Sequence, residues 1–454
     1  MLAVALAGFG ALSGFGVVGT ASAQDEVAGN LIEFNDNGAW SWFEDERAIV
    51  DVSAGKILVG SVADGRGVGG MERNGDIEIV EYDIATGERH LFTLKSDYEV
   101  DDHDSPAIWL RPDGKYATTY AGHGKDNYTY HRVSLRPGDA TEWTDEQAFD
   151  AGAGVTYNNL HYLPAEDDGK GRLYNFTRTR NWDPNVMVSG DLGETWQNAG
   201  KLLTQGNRSD RPYARYWSDG ERVDFIVTEQ HPRNFNNSIY HGVVKNGQLF
   251  NSAGEVVDDN LFDDEAVEAS GLTQVFGADT EIDGDAMTRC WTIDIARKDN
   301  RTVAIFSARA NDEVSDHRFF YATLDNGEWS VHPLARAGGF LYDTERDYTG
   351  LAAIDPDDPD RVFISAPIDP STGEATDHYE IYAGRTDDDG ATWDWQAVTR
   401  DSTMDNLRPI VPAWSEDRTA LLWLRGTYRK YTDYELSVVG LIDPLDGHVD
   451  ETGH

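Results

Sequence analysis

The chain has 454 residues with 38 Lys and Arg against 81 Asp and Glu, which gives a formal net charge of −43. A surface this acidic repels nucleic acids and anionic membranes, so the composition argues against a nucleic-acid-binding protein. The chain also carries 13 Trp, 20 Tyr and 17 Phe, which acidic disordered tails lack. We therefore expect a folded, halophilic protein whose acidic surface is suited to high salt.

The first residues of the chain predict export. Residues 2–20 are almost wholly apolar or small and lead into Ala-Ser-Ala at 21–23, the small-x-small pattern of a cleavage site. We expect residues 1–23 to be a signal peptide, the protein to be secreted, and no membrane association to remain after cleavage. Residues 24–454 are predicted to form a single catalytic domain. The one cysteine, Cys290, cannot form an intrachain disulfide, so stability must come from a large core.

From residue 31 to residue 442, short β-rich runs alternate with Asp-Gly, Asn-Gly and Pro-Asp turns. Aligned against itself, the chain repeats a unit in which a polar or aromatic start leads to an apolar strand, an acidic turn and a second apolar strand. The starts of seven units lie mostly about 50 to 60 residues apart: Trp42, His103, Tyr157, Arg211, Cys290, Tyr348 and Arg408. This period is typical of a propeller blade, so the sequence predicts an all-β fold, a seven-bladed β-propeller with four-stranded antiparallel blades.

Two segments, residues 189–196 and 386–393, fit the pattern S/T-x-D-x-G-x-T-W. This pattern resembles the Asp-box of sialidase-like propellers, a hairpin whose Asp caps the turn while the Trp packs inward. The resemblance supports a propeller but says little about chemistry, because such turns usually lie on the face away from the site. We expect a strand near residues 31–34 to pair with the last blade at residues 434–441, which removes the open sheet edges.

If each unit start is the innermost strand of a blade, the loop entering that strand and the loop leaving the next strand open on the same face. Residues about 20 apart then meet at that mouth of the propeller. Four units carry ionisable pairs at this spacing: His103 with His123, Tyr157 with Arg178, Arg211 with His231, and Arg408 with Arg425. Any one of these residues could be merely structural. The equal placement of the first three pairs in three consecutive blades favours a functional cluster.

Positive charge at the mouth of an acidic, exported protein favours an anionic substrate, and aromatic loops favour a polysaccharide that carries uronate or sulfate. Elimination on a uronate removes the weakly acidic proton beside the carboxylate and expels the glycosidic oxygen. The reaction needs a cation, a base and an acid, which Arg, Tyr and His can supply. The pKa of a free Tyr is about 10, and a close Arg would favour the phenolate.

Four segments, residues 101–106, 120–124, 155–159 and 211–213, make the chain similar to the BNR-repeat propellers that include the ulvan lyases. The resemblance runs through nearly the whole mature chain. It implies a polysaccharide lyase with four catalytic residues: His103, His123, Tyr157 and Arg178. It implies Tyr157 as base and also acid, Arg178 as neutraliser of the carboxylate, and the histidines as positioning or proton-transfer groups. Four further residues are expected to bind substrate: Arg211, Tyr213, His231 and Arg408.

No cofactor is expected for catalysis. Cys290, Asp294 and His317 could furnish ligands for a structural zinc ion, although their spacing is not diagnostic, and the Asp-rich turns leave calcium open. The metal therefore stays unassigned at this point.

Two other functions stay open. A propeller glycoside hydrolase of the sialidase or rhamnosidase type needs paired carboxylates, or a Tyr with a Glu, flanking the scissile bond. A non-catalytic carbohydrate-binding propeller would repeat one sugar site in most blades. The concentration of His, Tyr and Arg in three blades favours a lyase that acts on an ulvan-like polymer, and we expect a monomer.

Overall fold

The structure is a computed structural model that describes residues 25–205 and 211–443. The predicted signal peptide, residues 1–23, lies outside these ranges. None of the helices in the described ranges has the length and apolar character needed to cross a membrane. The helices are single turns: Gly70–Glu72, Asp102–Asp104, Glu166–Gly169, Arg180–Trp182 and Ala269–Gly271.

Seven antiparallel sheets follow one another along the chain as the blades of a β-propeller. Two short strands come first: β1 (Glu26–Val27) and β2 (Ile32–Asn35). Blade 1 contains β3 (Ala48–Asp51), β4 (Lys56–Val62), β5 (Ile77–Asp83) and β6 (Arg89–Lys95). Blade 2 contains β7 (Ala107–Leu110), β8 (Tyr116–Tyr120), β9 (Tyr128–Arg136), β10 (Asp139–Trp143) and β11 (Gln147–Asp150). Blade 3 contains β12 (Thr156–Leu163), β13 (Arg172–Arg178), β14 (Pro184–Ser189) and β15 (Gln197–Lys201).

The remaining blades follow the same plan. Blade 4 contains β16 (Ala214–Ser218), β17 (Val223–Thr228), β18 (Ile239–Lys245), β19 (Gln248–Phe250), β20 (Val256–Asp258) and β21 (Thr273–Phe276). Blade 5 contains β22 (Thr280–Ile282), β23 (Asp285–Lys298), β24 (Arg301–Ala310), β25 (His317–Asp325) and β26 (Glu328–Gly338). Blade 6 contains β27 (Ala352–Ile354), β28 (Arg361–Ile368), β29 (Ala375–Arg385) and β30 (Asp394–Ala397), and β31 (Thr399–Arg400) pairs with β1. Blade 7 contains β32 (Asp405–Ile410), β33 (Ala420–Lys430) and β34 (Asp433–Ile442).

The seven predicted unit starts coincide with the innermost strands. These strands are β3, β7, β12, β16, β23, β27 and β32, and each contacts the next from β3 to β32. Every unit start lies within one of them or a few residues before it. The predicted all-β, seven-bladed propeller is therefore confirmed, and blades 2, 4 and 5 add short strands to the expected four.

The predicted closure is also confirmed. Strand β2 pairs antiparallel with β34, so that Ile32 lies opposite Gly440 and Glu33 opposite Val439. The N-terminal strand thereby becomes the outermost strand of blade 7, and the hydrogen bonds between β2 and β34 join the two ends of the described chain.

We expect Phe34→Ala to weaken this closure strongly. The Phe34 side chain is 1% exposed and meets the ring of Tyr82 edge-on at 5.1 Å. Removing a buried phenyl ring costs about 3 to 5 kcal/mol of unfolding free energy. Chemical denaturation should show this loss, while Leu31→Ala, which truncates a side chain that is 41% exposed, should change stability by less than about 0.5 kcal/mol. Equal effects of the two variants would contradict the assigned role of β2.

Both Asp-box turns lie away from the candidate site. In each turn the Asp carboxylate accepts the amide of the Thr four residues later, at 2.9 and 2.8 Å: Asp191 from Thr195, and Asp388 from Thr392. In blade 3, Arg178 lies opposite Pro184 at one end of β14, whereas the Asp-box turn begins at Ser189 at the other end. These turns therefore stabilise the opposite face, as predicted.

Candidate functional site

The hairpin registers explain why the predicted pairs meet. In blade 2, Ala107 lies opposite Thr119, so extending the hairpin by four residues on each strand brings His103 to His123. Their imidazole rings stack with a centroid distance of 4.0 Å. In blade 3, Thr156 lies opposite Arg178, and the Arg178 guanidinium lies 4.6 Å above the ring of the neighbouring Tyr157. The four predicted catalytic residues therefore form one cluster, since the rings of His103 and Tyr157 are 5.3 Å apart.

One carboxylate holds both histidines. Asp101 Oδ1 lies 2.6 Å from His103 Nδ1, and Asp101 Oδ2 lies 3.0 Å from His123 Nδ1. Asp101 also caps the short turn Asp102–Asp104 by accepting the backbone amide of His103 at 3.0 Å. A second carboxylate oxygen, Asp102 Oδ1, lies 2.9 Å from His103 Nδ1. The local sequence thus fixes the orientation of both rings.

The two histidines differ in charge. Although burial opposes protonation of His103, the contacts with Asp101 and Asp102 outweigh it and raise its pKa well above the usual value. For His123, burial and the positive charge of His103 lower the pKa to about 4, against the opposing effect of Asp101. Burial also opposes ionisation of Asp101, but the two histidines lower its pKa overall. Near neutral pH, the cluster therefore contains a cationic His103 and a neutral His123.

The hydrogen bonds assign the tautomer of His123. A carboxylate without a proton can only accept, so the Nδ1 atom of His123 that faces Asp101 carries the hydrogen. The other ring nitrogen, Nε2, then keeps its lone pair and faces Arg178 Nη2 at 3.4 Å. His123 therefore presents a proton acceptor beside the guanidinium.

We expect the depressed pKa of His123 to make the protein less stable in mild acid. The unfolded chain protonates this histidine near pH 6.5, whereas the folded chain does so only near pH 4, so protons favour unfolding within that window. This single group should remove about 3 kcal/mol of unfolding free energy between those pH values. Denaturation curves of His123→Gln should have a smaller pH dependence than the wild type. As a control, substitution of the exposed His90 by Gln should leave the pH dependence of stability as in the wild type. Equal pH dependence in His123→Gln and wild type would contradict the lowered pKa of His123.

Tyr157 and Arg178 are buried side by side with unused polar atoms. The Tyr157 hydroxyl and Arg178 Nε and Nη1 have no hydrogen-bond partner among the described residues. Burial raises the pKa of Tyr157 well above its usual value, and the opposing effect of Arg178 is smaller. The expected influence of the Arg therefore has the predicted sign, but the resting phenol stays protonated. Tyr157 also has a left-handed backbone, with φ of 57°, which is unusual for an aromatic residue and marks a constrained position.

Three of the four predicted substrate-binding residues lie around this cluster. The Tyr213 ring is 5.1 Å from the Arg178 guanidinium and meets the ring of His231 edge-on at 5.3 Å. His231 is buried, and its Nε2 atom lies 3.3 Å from the carboxylate of Glu345. Arg211 lies farther out, with its guanidinium 5.3 Å from the ring of Trp182.

The prediction for Arg408 is wrong. This side chain is 1% exposed and donates to three backbone carbonyl oxygens: those of Ser41, Glu44 and Pro409. Burial and the charge of Arg215 lower its pKa to about 9. Its proposed partner Arg425 pairs instead with Asp25 at 2.6 Å. Arg408 therefore stabilises the chain around the propeller axis and cannot reach a substrate.

The predicted metal ligands do not meet. Cys290 is buried in an apolar cluster, Asp294 accepts from Arg215 at 3.2 Å, and His317 lies 3.6 Å from Asp347. In the described part of the chain, the one group with metal-ligand spacing is formed by Asp101, His103 and His123. Both histidine Nδ1 atoms there are already hydrogen-bonded to Asp101, so hydrogen bonding alone accounts for this group.

Several functional residues were not predicted as such. Asp101 and Asp102 directly precede His103, and two adjacent carboxylates at this position were a local signal that they hydrogen-bond the histidine. Two tyrosines of blade 7 could not be found that way. Tyr428 donates to Asp102 Oδ2 at 2.7 Å, and the ring of Tyr431 meets His103 edge-on at 5.3 Å. Their approach depends on closure of the propeller.

Comparisons with known proteins support the fold. The sequence model of the BNR repeat-containing family matches residues 69–337, more than half of the chain. No curated protein sequence matches significantly. Two solved structures of a polysaccharide lyase, an ulvan lyase alone and bound to -[GlcA(1-4)Rha3S]-, have TM-scores of 0.63 and 14% identity, and cover 90% of this chain and 95% or 96% of theirs. An α-L-arabinofuranosidase from Fusarium graminearum has a TM-score of 0.45 and 11% identity, with 74% of this chain and 92% of that chain covered.

Proposed function

Since this chain belongs to the BNR repeat-containing family, we propose that it is a polysaccharide lyase that cleaves a uronate-containing polymer by β-elimination. One observation carries the proposal: a buried phenol and guanidinium lie in contact next to two histidines held by one carboxylate. This set supplies the cation, the base and the acid that elimination needs.

Each group has a role that follows from its contacts. The Nε and Nη1 atoms of Arg178, which have no partner among the described residues, bind the uronate carboxylate and stabilise the negative charge that develops when the neighbouring proton leaves. The charge of the cationic His103 is balanced by Asp101 at 2.6 Å, so Arg178 is the cation left to neutralise the substrate. His123 is neutral, so it is the histidine able to accept a proton and to assist ionisation of the Tyr157 phenol.

The proposed reaction balances without a cofactor. When substrate binds, the resting Tyr157 phenol passes its proton to His123 Nε2, and the phenolate so formed takes the proton from the carbon beside the uronate carboxylate. The electron pair of that bond forms a carbon–carbon double bond, and the bond to the glycosidic oxygen breaks. The resulting phenol gives this proton to the leaving oxygen, so Tyr157 serves first as base and then as acid. His123 then returns its proton to Tyr157, which restores the resting phenol.

A glycoside hydrolase is less well supported. It would need two carboxyl groups, or a Tyr with a Glu, placed on either side of the scissile bond. Three carboxylates next to the cluster are already engaged: Asp101 and Asp102 contact His103, and Glu44 pairs with Arg47 at 2.9 Å.

The choice of polymer and setting completes the proposal. The likeness in fold to an ulvan lyase bound to glucuronate and sulfated rhamnose supports an ulvan-like substrate. We further propose that the protein is secreted after removal of residues 1–23, acts as a monomer and tolerates high salt because of its net charge of −43.

The mature protein should be mixed with ulvan and other uronate polymers at high and low salt, and its ultraviolet absorbance followed. We expect an unsaturated-uronate signal to grow. New reducing ends without that signal would indicate a hydrolase, and binding without either product would indicate a carbohydrate-binding propeller.

A further inference from the structure

One aromatic side chain near the cluster is not used by the proposed chemistry. Trp182 lies in the short turn Arg180–Trp182, which connects β13 to β14 on the same face as Arg178. Its side chain is half-buried rather than part of a core. Both Asn181 and Trp182 have left-handed backbones, with φ of 59° and 62°. Two consecutive non-glycine residues in this region are strained, and such strain is common at ligand-binding positions.

The surroundings of Trp182 hold its ring between two blades. Gly124, directly after His123, packs so closely against the ring that a Cβ at this position would overlap it. The guanidinium of Arg178 lies 5.7 Å from the ring, and that of Arg211 lies 5.3 Å from it. The Trp182 ring therefore lies near two guanidinium groups: that of Arg178 in the cluster and that of Arg211, which lies farther from the reaction centre.

We propose that Trp182 and Arg211 form a subsite for a pyranose that carries an anionic substituent, next to the uronate that is cleaved. This inference rests on the proposed lyase function and specifies how its substrate is held. The flat indole covers one face of the sugar ring, as Trp residues do where a binding surface needs a large, rigid apolar contact. The Arg211 fork binds a sulfate or carboxylate on that sugar.

The arrangement assigns different anions to the two arginines. Arg178 is buried, and its guanidinium lies 4.6 Å from the ring of the proposed base Tyr157, so it serves the carboxylate at the reacting carbon. Arg211 is partly exposed and its guanidinium lies 5.3 Å from the Trp182 ring, so it serves the neighbouring sugar. A polymer in which every uronate is followed by an acidic or sulfated sugar fits both.

Kinetics on the wild type, Trp182→Ala and Arg211→Gln with ulvan oligosaccharides test this subsite. We expect KM to rise about tenfold in each variant with kcat changed less than threefold, since a centrally placed Trp or Arg contact commonly contributes that much binding. When Trp182→Ala or Arg211→Gln is introduced into the inactive Tyr157→Phe protein, the affinity for the same oligosaccharides should fall by a similar factor. Trp395→Ala, which truncates a half-buried Trp in blade 6, is the matched control and should leave KM unchanged.

Desulfated oligosaccharides separate the two anion sources. If Arg211 binds sulfate, desulfation should raise the wild-type KM and remove the effect of Arg211→Gln, whereas a carboxylate ligand would leave that effect intact. A wild type that forms no unsaturated product would refute the lyase itself. An active wild type whose KM is unchanged by Trp182→Ala, or whose kcat alone falls, would overturn the subsite and leave Trp182 as a support for Arg178.

Discussion

Tyr157→Phe should abolish formation of unsaturated uronate without unfolding the protein. The substitution removes only the phenolic oxygen, which has no hydrogen-bond partner among the described residues, so the packing of the ring is kept. In the proposed mechanism this oxygen both takes the proton and returns it, so we expect kcat to fall by at least about a thousandfold. Initial rates of double-bond formation at saturating oligosaccharide measure the loss, and substrate affinity should be nearly unchanged.

A second tyrosine of the same blade provides the control. Tyr162 lies at the other end of β12, and its hydroxyl donates to the carbonyl of Lys170 at 3.4 Å. Tyr162→Phe should retain the wild-type rate. If Tyr157→Phe kept more than about a tenth of the activity, another group would have to be the base, and the neutral His123 would be the first to consider.

Arg178→Ala should lower kcat by about a hundredfold to a thousandfold, because it removes the cation that neutralises the carboxylate as charge develops. The guanidinium is buried against Tyr157 and Tyr213, so its charge acts through protein rather than through water. Arg178→Lys keeps a positive charge but loses the two-pronged geometry, so we expect an intermediate rate. Steady-state kinetics of both variants test this order.

The controls for Arg178 address charge and stability. Arg136 is exposed and pairs with Asp139 at 2.8 Å, so Arg136→Ala removes one positive charge far from the cluster and should leave kcat unchanged. Thermal unfolding of each variant shows whether the protein is folded during the assay. A folded Arg178→Lys variant that is no faster than Arg178→Ala would indicate that position, rather than charge, is what Arg178 supplies.

The sequence predicted the cluster because hairpin geometry is local. Two strands joined by a short turn place residues about 20 apart at one end, and the registers of blades 2 and 3 place His103 near His123 and Tyr157 near Arg178 as this rule requires. The same reasoning failed for Arg408. Its position in the repeat is correct, but its backbone is left-handed, with φ of 51°, and its guanidinium turns toward carbonyls of residues before blade 1. That contact spans more than 360 residues and leaves no local signal.

Burial is the other quantity that the sequence could not supply. A neighbouring Arg was expected to favour the Tyr157 phenolate, and Arg178 does act in that direction, yet burial determines the net rise in the pKa of Tyr157. The different charge states of His103 and His123, one cationic and one neutral, likewise depend on how one carboxylate is shared between two stacked rings. Tyr428 and Tyr431 join the cluster only because blade 7 closes the ring beside blade 1.

The most direct test of the proposed elimination is the mass of the products from one defined ulvan oligosaccharide. Elimination consumes no water, so the masses of the two fragments should add up to that of the parent, and the new non-reducing end should carry the double bond. Tyr157→Phe should leave the parent intact. Fragments whose summed mass exceeds the parent by one water would show hydrolysis and would contradict the roles assigned to Tyr157 and Arg178.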